Sequence, residues 1–240
     1  MSNPTVILVH GAYADASSWN GVVQPLLAEG YRTIAFANPL RGVASDAALL
    51  SDLVRSVDGP VVLVGHSYGG AVLTNVEAAD GQVVAAVYIA GFALEAGESC
   101  AAASALVPGS TLGETLVPVP LTGGGADTYI DQAKYQHQFA ADLRPAQAAA
   151  MAVTQRPVTA AALDEPSGAD PLWRSVPSWF LFGELDRNIP AGAHHAMAER
   201  AGARRTVEIL GASHVVGISH PAETLQIILE AAGARSLAHA

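Results

Sequence analysis

Apolar residues fall into two kinds of run along this chain. Short β-branched stretches at Thr5–Val9, Arg32–Phe36, Val61–Val64, Val84–Ala90, Ser178–Phe182 and Thr206–Leu210 read as strands. Several are apolar at every position, as strands covered on both faces must be. Between them lie helical patterns at Trp19–Ala28, Ser45–Val57, Tyr68–Ala79, Ala191–Arg200 and Pro221–Ala232. Pro221 suits a first helical position, where its missing N–H costs nothing. Gly30 and Gly59 stand where helices should stop. Strands alternating with helices predict an α/β fold, with a mainly parallel sheet of about six strands flanked by helices.

The alternation fails between Gly91 and Pro177. That stretch holds an alanine-rich segment at Ala101–Ala105, a Gly123-Gly124-Gly125 run, several prolines, and amphipathic pieces near Asp127–Ala140 and Pro145–Val153. So long an interruption in a compact domain points to a functional element and not to a loop. The expected organisation is a core of residues 1–93 and 174–240, with a mostly helical cap at 94–173 inserted into it. A separate small domain is the alternative, but the segment lacks an evident core of its own.

Composition narrows the function. The chain has 240 residues, half of them apolar and 14% charged, which excludes a disordered chain. A net charge of −10 argues against nucleic acid and anionic membrane partners. The longest apolar stretch, Val83 to Leu94, is too short to cross a bilayer. Met1-Ser2-Asn3-Pro4 leads at once into a strand, so no signal peptide is expected, and the lone Cys100 fits a reducing cytoplasm. Cys100 has no motif around it and reads as a small apolar residue.

The chemistry centres on Gly65-His66-Ser67-Tyr68-Gly69, the one G-x-S-x-G of the chain. The pattern alone is weak, but it follows Val61-Val62-Leu63-Val64 directly and opens a helix at Tyr68. That strand–turn–helix setting holds a serine hydroxyl above the sheet. Ser67 is therefore the expected nucleophile, and it needs a base. Of eight histidines, His10 and His66 belong to turns, His194 and His195 to a helix, His137 to the cap and His239 to the tail. His214 follows the last strand and should emerge on the same rim as Ser67; His220 is its rival. The acid should come from the loop after another strand, Gly183-Glu184-Leu185-Asp186-Arg187-Asn188-Ile189-Pro190. Asp186 is better placed than Glu184, and Asp164 and Asp170 are weaker candidates. The order Ser67, Asp186, His214 is that of the α/β-hydrolases.

Five blocks carry a wider resemblance: TVILVHGAYADASSW, VVLVGHSYGG, VVAAVYIAGF, LFGELDRNIP and GASHVVGISHP. In order and spacing they resemble the α/β-hydrolase superfamily, and within it the plant-type methylesterases and hydroxynitrile lyases with their bacterial relatives. The resemblance implies the α/β-hydrolase fold and an oxyanion hole from the N–H groups of Ala12, after the His10-Gly11 pair, and Tyr68. It also implies a serine hydrolase, here a carboxylesterase needing neither metal nor organic cofactor. In the lyases it resembles, a lysine follows the histidine and a threonine replaces the HG glycine. Here Val215 and Gly11 stand there, which favours ester hydrolysis over cyanohydrin cleavage.

Tyr13, Phe92, Phe139, Met151, Trp173 and Val215 are expected to line the pocket. A pocket so apolar suits a small or medium uncharged ester or lactone. A cofactor-free lyase or oxygenase, or a non-catalytic receptor using the same pocket, remains open, since fold alone does not fix function.

Overall fold

Strands β1 (Thr5–Val9), β3 (Val61–His66) and β4 (Val83–Ile89) are mainly apolar and buried along almost their whole length, because neighbours and helices cover both their faces. In the computed structural model, which describes residues 3–237, they form the centre of a six-stranded parallel sheet. The other members are β2 (Thr33–Phe36), β8 (Ser178–Gly183) and β9 (Arg205–Ile209), in the order β2-β1-β3-β4-β8-β9. Every pairing in it is parallel. The two edge strands, β2 and β9, are the ones only partly buried. All six strands stand within two residues of the expected bounds. Met1, Ser2 and His239 lie outside the described residues.

The order of strands sets the position of the site. From β1 the chain moves outward to β2 and then crosses back to β3 on β1's other side. At such a reversal the loops leaving the carboxyl ends of the two strands part, opening a crevice. Gly11 and Ser67 stand in the turns that follow β1 and β3 there.

Helices Asn20–Ala28 and Pro221–Leu237 pack on each other, the latter lying over β4 and β8. Trp179 of β8 donates its indole N–H to Glu230 of that helix at 3.1 Å. Helices Val43–Arg55 and Tyr68–Thr74 pack together, and the second lies over β3. This second helix ends five residues before the expected Ala79. Asn75 bonds its side-chain N–H to the Ala71 carbonyl at 2.8 Å, and its Oδ1 accepts the Gly168 N–H at 2.7 Å. These polar bonds replace the next helical turn and tie the segment 94–173 to the sheet side.

Between β4 and β8 the chain forms helices at Cys100–Ser104, Gln132–Phe139, Pro145–Thr154 and Ala160–Asp164. It also forms a small antiparallel sheet that the sequence pattern did not suggest. Its strands are β5 (Leu116–Pro120), β6 (Ala126–Ile130) and β7 (Val158–Thr159), in the order β5-β6-β7. The glycine run is the turn of the β5–β6 hairpin, where Gly124 and Gly125 have φ of 93° and 75°. Pro118 and Pro120 sit on edge strand β5, where a missing N–H is tolerated. No helix among the described residues is long and apolar enough to cross a membrane.

Candidate active site

Ser67 sits between β3 and helix Tyr68–Thr74 with φ 52° and ψ −124°. A non-glycine residue there costs about 1–3 kcal/mol, so the surroundings must hold it. They do so with backbone bonds. The Ser67 N–H reaches the Ala90 carbonyl at 3.1 Å, and the Ser67 carbonyl accepts the N–H groups of Gly70 at 2.8 Å and Phe92 at 3.1 Å. Close packing completes the turn. A Cβ on Gly69 would lie 2.8 Å from the His10 carbonyl oxygen, so β1 can approach the turn only over glycine.

His214 follows β9 and is fully buried. Its Nδ1 lies 2.6 Å from Asp186 Oδ2, which makes Nδ1 the protonated nitrogen, because a carboxylate only accepts. Its Nε2 is buried without a partner among the described residues. Asp186, in the turn after β8, also accepts the backbone N–H groups of Asn188 at 2.8 Å and Ile189 at 2.9 Å on Oδ1. Burial alone would raise the Asp186 pKa. The neighbouring His214, by charge and hydrogen bond, and the hydrogen bond from His194 outweigh it and hold the carboxyl well below the ordinary range.

The rival residues are engaged elsewhere. Glu184 accepts the Gly211 N–H at 2.9 Å, joining the turn after β8 to the turn after β9. The His220 ring bonds the Ser219 hydroxyl at 2.9 Å. His10 accepts the Asn38 N–H on Nε2 at 3.1 Å and donates from Nδ1 to the Gly11 carbonyl at 2.9 Å, bracing the HG turn. Burial lowers its pKa to about 4. His66 donates from Nε2 to the His214 carbonyl at 3.2 Å, and burial, helped by the nearby His214, lowers its pKa to about 3.

Ser67 and His214 open onto one cavity of about 360 Å³. Ala12, Tyr13, Tyr68 and Phe92 lie on its wall, and segment 94–173 supplies Phe139, Leu116 and Leu163 among others. The Phe139 ring packs on the His214 imidazole, with centroids 5.0 Å apart. Tyr13 is held by its hydroxyl on Thr128 at 3.0 Å and by the Tyr135 hydroxyl on its carbonyl at 2.8 Å. The N–H groups of Ala12 and Tyr68 find no acceptor among the described residues. The cavity wall is mainly apolar; Asp164 is the one carboxylate on it, and it is solvent-exposed.

Three residues expected at the pocket stand elsewhere. Trp173 is buried beneath the segment, its indole N–H bonded to the Leu94 carbonyl at 2.9 Å. Met151 lines a separate pocket with Asp15 and Gln147, because Ala148 and Ala152 are the positions its helix buries. Val215 is turned away from the cavity, towards Trp19, His66 and Ile218. The chain passes through His214 into helix Val216–Ser219, so successive side chains point to different sides.

Two features escaped the sequence reading. His194 lies with Nε2 3.3 Å from Asp186 Oδ2. Nothing in the pattern of its own helix marks that contact. Tyr68 donates its hydroxyl to the fully buried Asp46 at 3.0 Å, and burial raises that carboxyl's pKa. Cys100 also reaches the cavity, but burial pushes its thiol pKa up, away from a reactive thiolate. No group of His, Cys, Asp and Glu among the described residues could hold a metal ion.

Comparison with solved structures finds the same fold in polyneuridine aldehyde esterase, with a TM-score of 0.78 and 18% identity over 95% of this chain and 99% of that one. A pyrethroid hydrolase from Sphingobium faniae gives 0.73 and 18%, over 98% of this chain and 99% of that one. A methylesterase from Arabidopsis gives 0.71 and 16%, over 99% of this chain and all of that one. At these identities the likeness is one of fold, and it includes the plant methylesterase type that the sequence resembles. No curated protein matches the chain in sequence. A family model does match residues 6–227, nearly the whole chain, and this chain belongs to the alpha/beta hydrolase family.

Proposed function

We propose that the protein is a carboxylesterase that cleaves a small or medium uncharged ester or lactone through an acyl-enzyme on Ser67. The observation that carries the reading is the meeting in one cavity of a serine on a strained turn and a histidine whose far nitrogen is bonded to a buried carboxylate. His214 Nε2 takes the Ser67 proton as Oγ attacks the ester carbonyl, then delivers it to the leaving alkoxide. Water attacks the acyl-enzyme by the reverse route. Asp186 holds the imidazole in the Nδ1–H form that leaves Nε2 free to accept, and stabilises it when charged.

The Ala12 and Tyr68 N–H groups receive the oxyanion, each contributing ~3 kcal/mol in the transition state. Support comes from their position on the cavity wall without a protein acceptor. Helix Tyr68–Thr74 begins at the serine, adding its N-terminal partial charge. Segment 94–173 acts as a cap that selects the substrate, while the residues that do the chemistry come from the sheet. The apolar wall favours uncharged acyl groups, because an ion there would lose its hydration without a partner.

A panel of p-nitrophenyl esters of rising chain length, with a set of lactones, tests the substrate class. Turnover should be measurable for uncharged members and fall for those with a charged acyl group. No turnover across the panel, with tight binding of an apolar ligand, would mean a receptor in place of an enzyme.

A further inference from the structure

We propose that His194 is a positioning residue for His214: a neutral imidazole that shares the Asp186 carboxylate and so limits how strongly Asp186 holds the His214 proton. The inference rests on the reading of Asp186 and His214 as acid and base. Its geometric basis is the full set of donors around one buried carboxylate. Oδ1 accepts the Asn188 and Ile189 N–H groups, and Oδ2 faces both His214 Nδ1 at 2.6 Å and His194 Nε2 at 3.3 Å. Since a carboxylate can only accept, His194 carries its proton on Nε2.

The other nitrogen shows that the ring is neutral. His194 is fully buried, and its Nδ1 has no partner among the described residues. A proton on Nδ1 would be a buried donor with nothing to bond, which is costly. Burial accordingly keeps the His194 pKa below its ordinary value, although Asp186 works in the opposite direction. The ring is fixed in place by stacking on Phe182, with centroids 4.7 Å apart and planes 15° from parallel.

A neutral donor draws charge from Asp186 without placing a second cation beside His214. The imidazolium formed during the reaction is then less stabilised, and His214 gives its proton up more readily to the leaving group. The other titratable groups near this line do not reach the carboxylate. His66, from β3, lies tilted against His214 with centroids 4.8 Å apart and donates to its backbone carbonyl. His195, on the same helix as His194, pairs with Glu208 of β9 at 2.8 Å. Asp142, from segment 94–173, bonds the Ser213 hydroxyl and lies 3.9 Å from His220.

Nitrogen-15 NMR of histidine-labelled protein tests this without any substrate, following His214 directly through a pH titration. His194→Phe keeps a ring against Phe182 but removes the donor, and the His214 midpoint should move to higher pH by about one unit. His194→Gln keeps an N–H able to reach Asp186, and should hold the wild-type midpoint. An unmoved midpoint in the Phe variant, or an equal shift in both variants, would overturn the proposal. The wild-type spectrum decides independently of variant folding. His194 should show a protonated Nε2 and a bare Nδ1 throughout the range in which His214 titrates; the opposite tautomer, or a doubly protonated ring, rejects it. A protein with the expected spectra but no ester turnover would sink the hydrolase reading and leave this one standing.

Discussion

Gly11 and Ser67 stand so close that a Cβ on Gly11 would lie 2.7 Å from the Ser67 Cβ and 2.8 Å from the His66 carbonyl oxygen. The HG turn and the serine turn therefore fit only because one of them lacks a side chain. In the lyases that the sequence resembles, a threonine occupies this place, and it could not enter here without moving the serine. Cyanide release from mandelonitrile should stay at the uncatalysed rate. Val215, which faces away from the cavity, plays no part in that expectation. Gly11→Ala should lower ester turnover by ~10-fold or more, since a misplacement of this kind costs about 10²-fold at worst. Cyanide release that disappears in a Ser67→Ala protein would move the protein to the lyases.

Asp186 and Glu184 lie two residues apart and do different things. Asp186 bonds the His214 imidazole, and Glu184 bonds only the Gly211 backbone. Asp186→Asn should reduce kcat by roughly 10²- to 10⁴-fold, by favouring the wrong tautomer. Glu184→Gln keeps an acceptor for Gly211 and should change kcat by less than about 3-fold, as expected of a residue remote from the chemistry. Steady-state kinetics on the two proteins, with circular dichroism to confirm folding, would show the reverse order if the acid is misassigned.

Much of this was legible in the sequence because of how the core strands are buried. β1, β3, β4 and β8 are covered on both faces, so they read as unbroken apolar runs. Ser67 follows one of them with glycines at its side, and a turn so crowded tolerates little else. Segment 94–173 carried no such signal. β5 is an exposed edge strand with two prolines, and β7 is two residues long, so neither shows a period. Trp173 and Met151 looked like pocket residues because apolar composition does not say which side of a helix faces the cavity. His194 was hidden for a similar reason: its contact with Asp186 spans from a helix to a turn, and no local pattern marks it.

Phe139 and Trp173 should therefore respond differently to substitution. Phe139 lies on the cavity wall against His214, so Phe139→Leu should shift acyl chain-length preference several-fold, in the range a methylene or two commands in an apolar pocket. Trp173→Phe loses the bond to the Leu94 carbonyl and should cost about 1 kcal/mol of stability with the preference unchanged. Chain-length profiles and urea unfolding of both variants check this. A preference altered by Trp173→Phe and not by Phe139→Leu would contradict the placement of the cavity.

Acid should weaken the fold well above the carboxylate range. His10 and His66 have pKa values lowered to about 4 and about 3, and burial lowers that of His194 too. An unfolded chain takes up protons on these residues near pH 6.5, whereas the folded one does not until its lower values are reached. Their contribution is complete above about pH 6.5 and is lost as pH falls from there. Each such histidine adds about 1.4 kcal/mol per pH unit to the decline. Urea unfolding between pH 7 and pH 5 should show a steep fall in stability, flattened by about that amount in His10→Gln. A stability independent of pH across this range would contradict the neutral, buried state of these rings.

The central claim is that Ser67 is an activated nucleophile, and a fluorophosphonate probe tests it most directly. The probe reacts only where a serine hydroxyl has a base to take its proton and donors to hold the phosphoryl oxygen. Wild-type protein should be labelled stoichiometrically, with the adduct mapped to the Ser67 peptide by mass spectrometry. Ser67→Ala, which deletes one oxygen and leaves the turn intact, should fold normally, remain unlabelled and lose on the order of 10³-fold or more in ester turnover. Equal labelling of the Ser67→Ala protein, or an adduct mapped to another residue, would contradict the account.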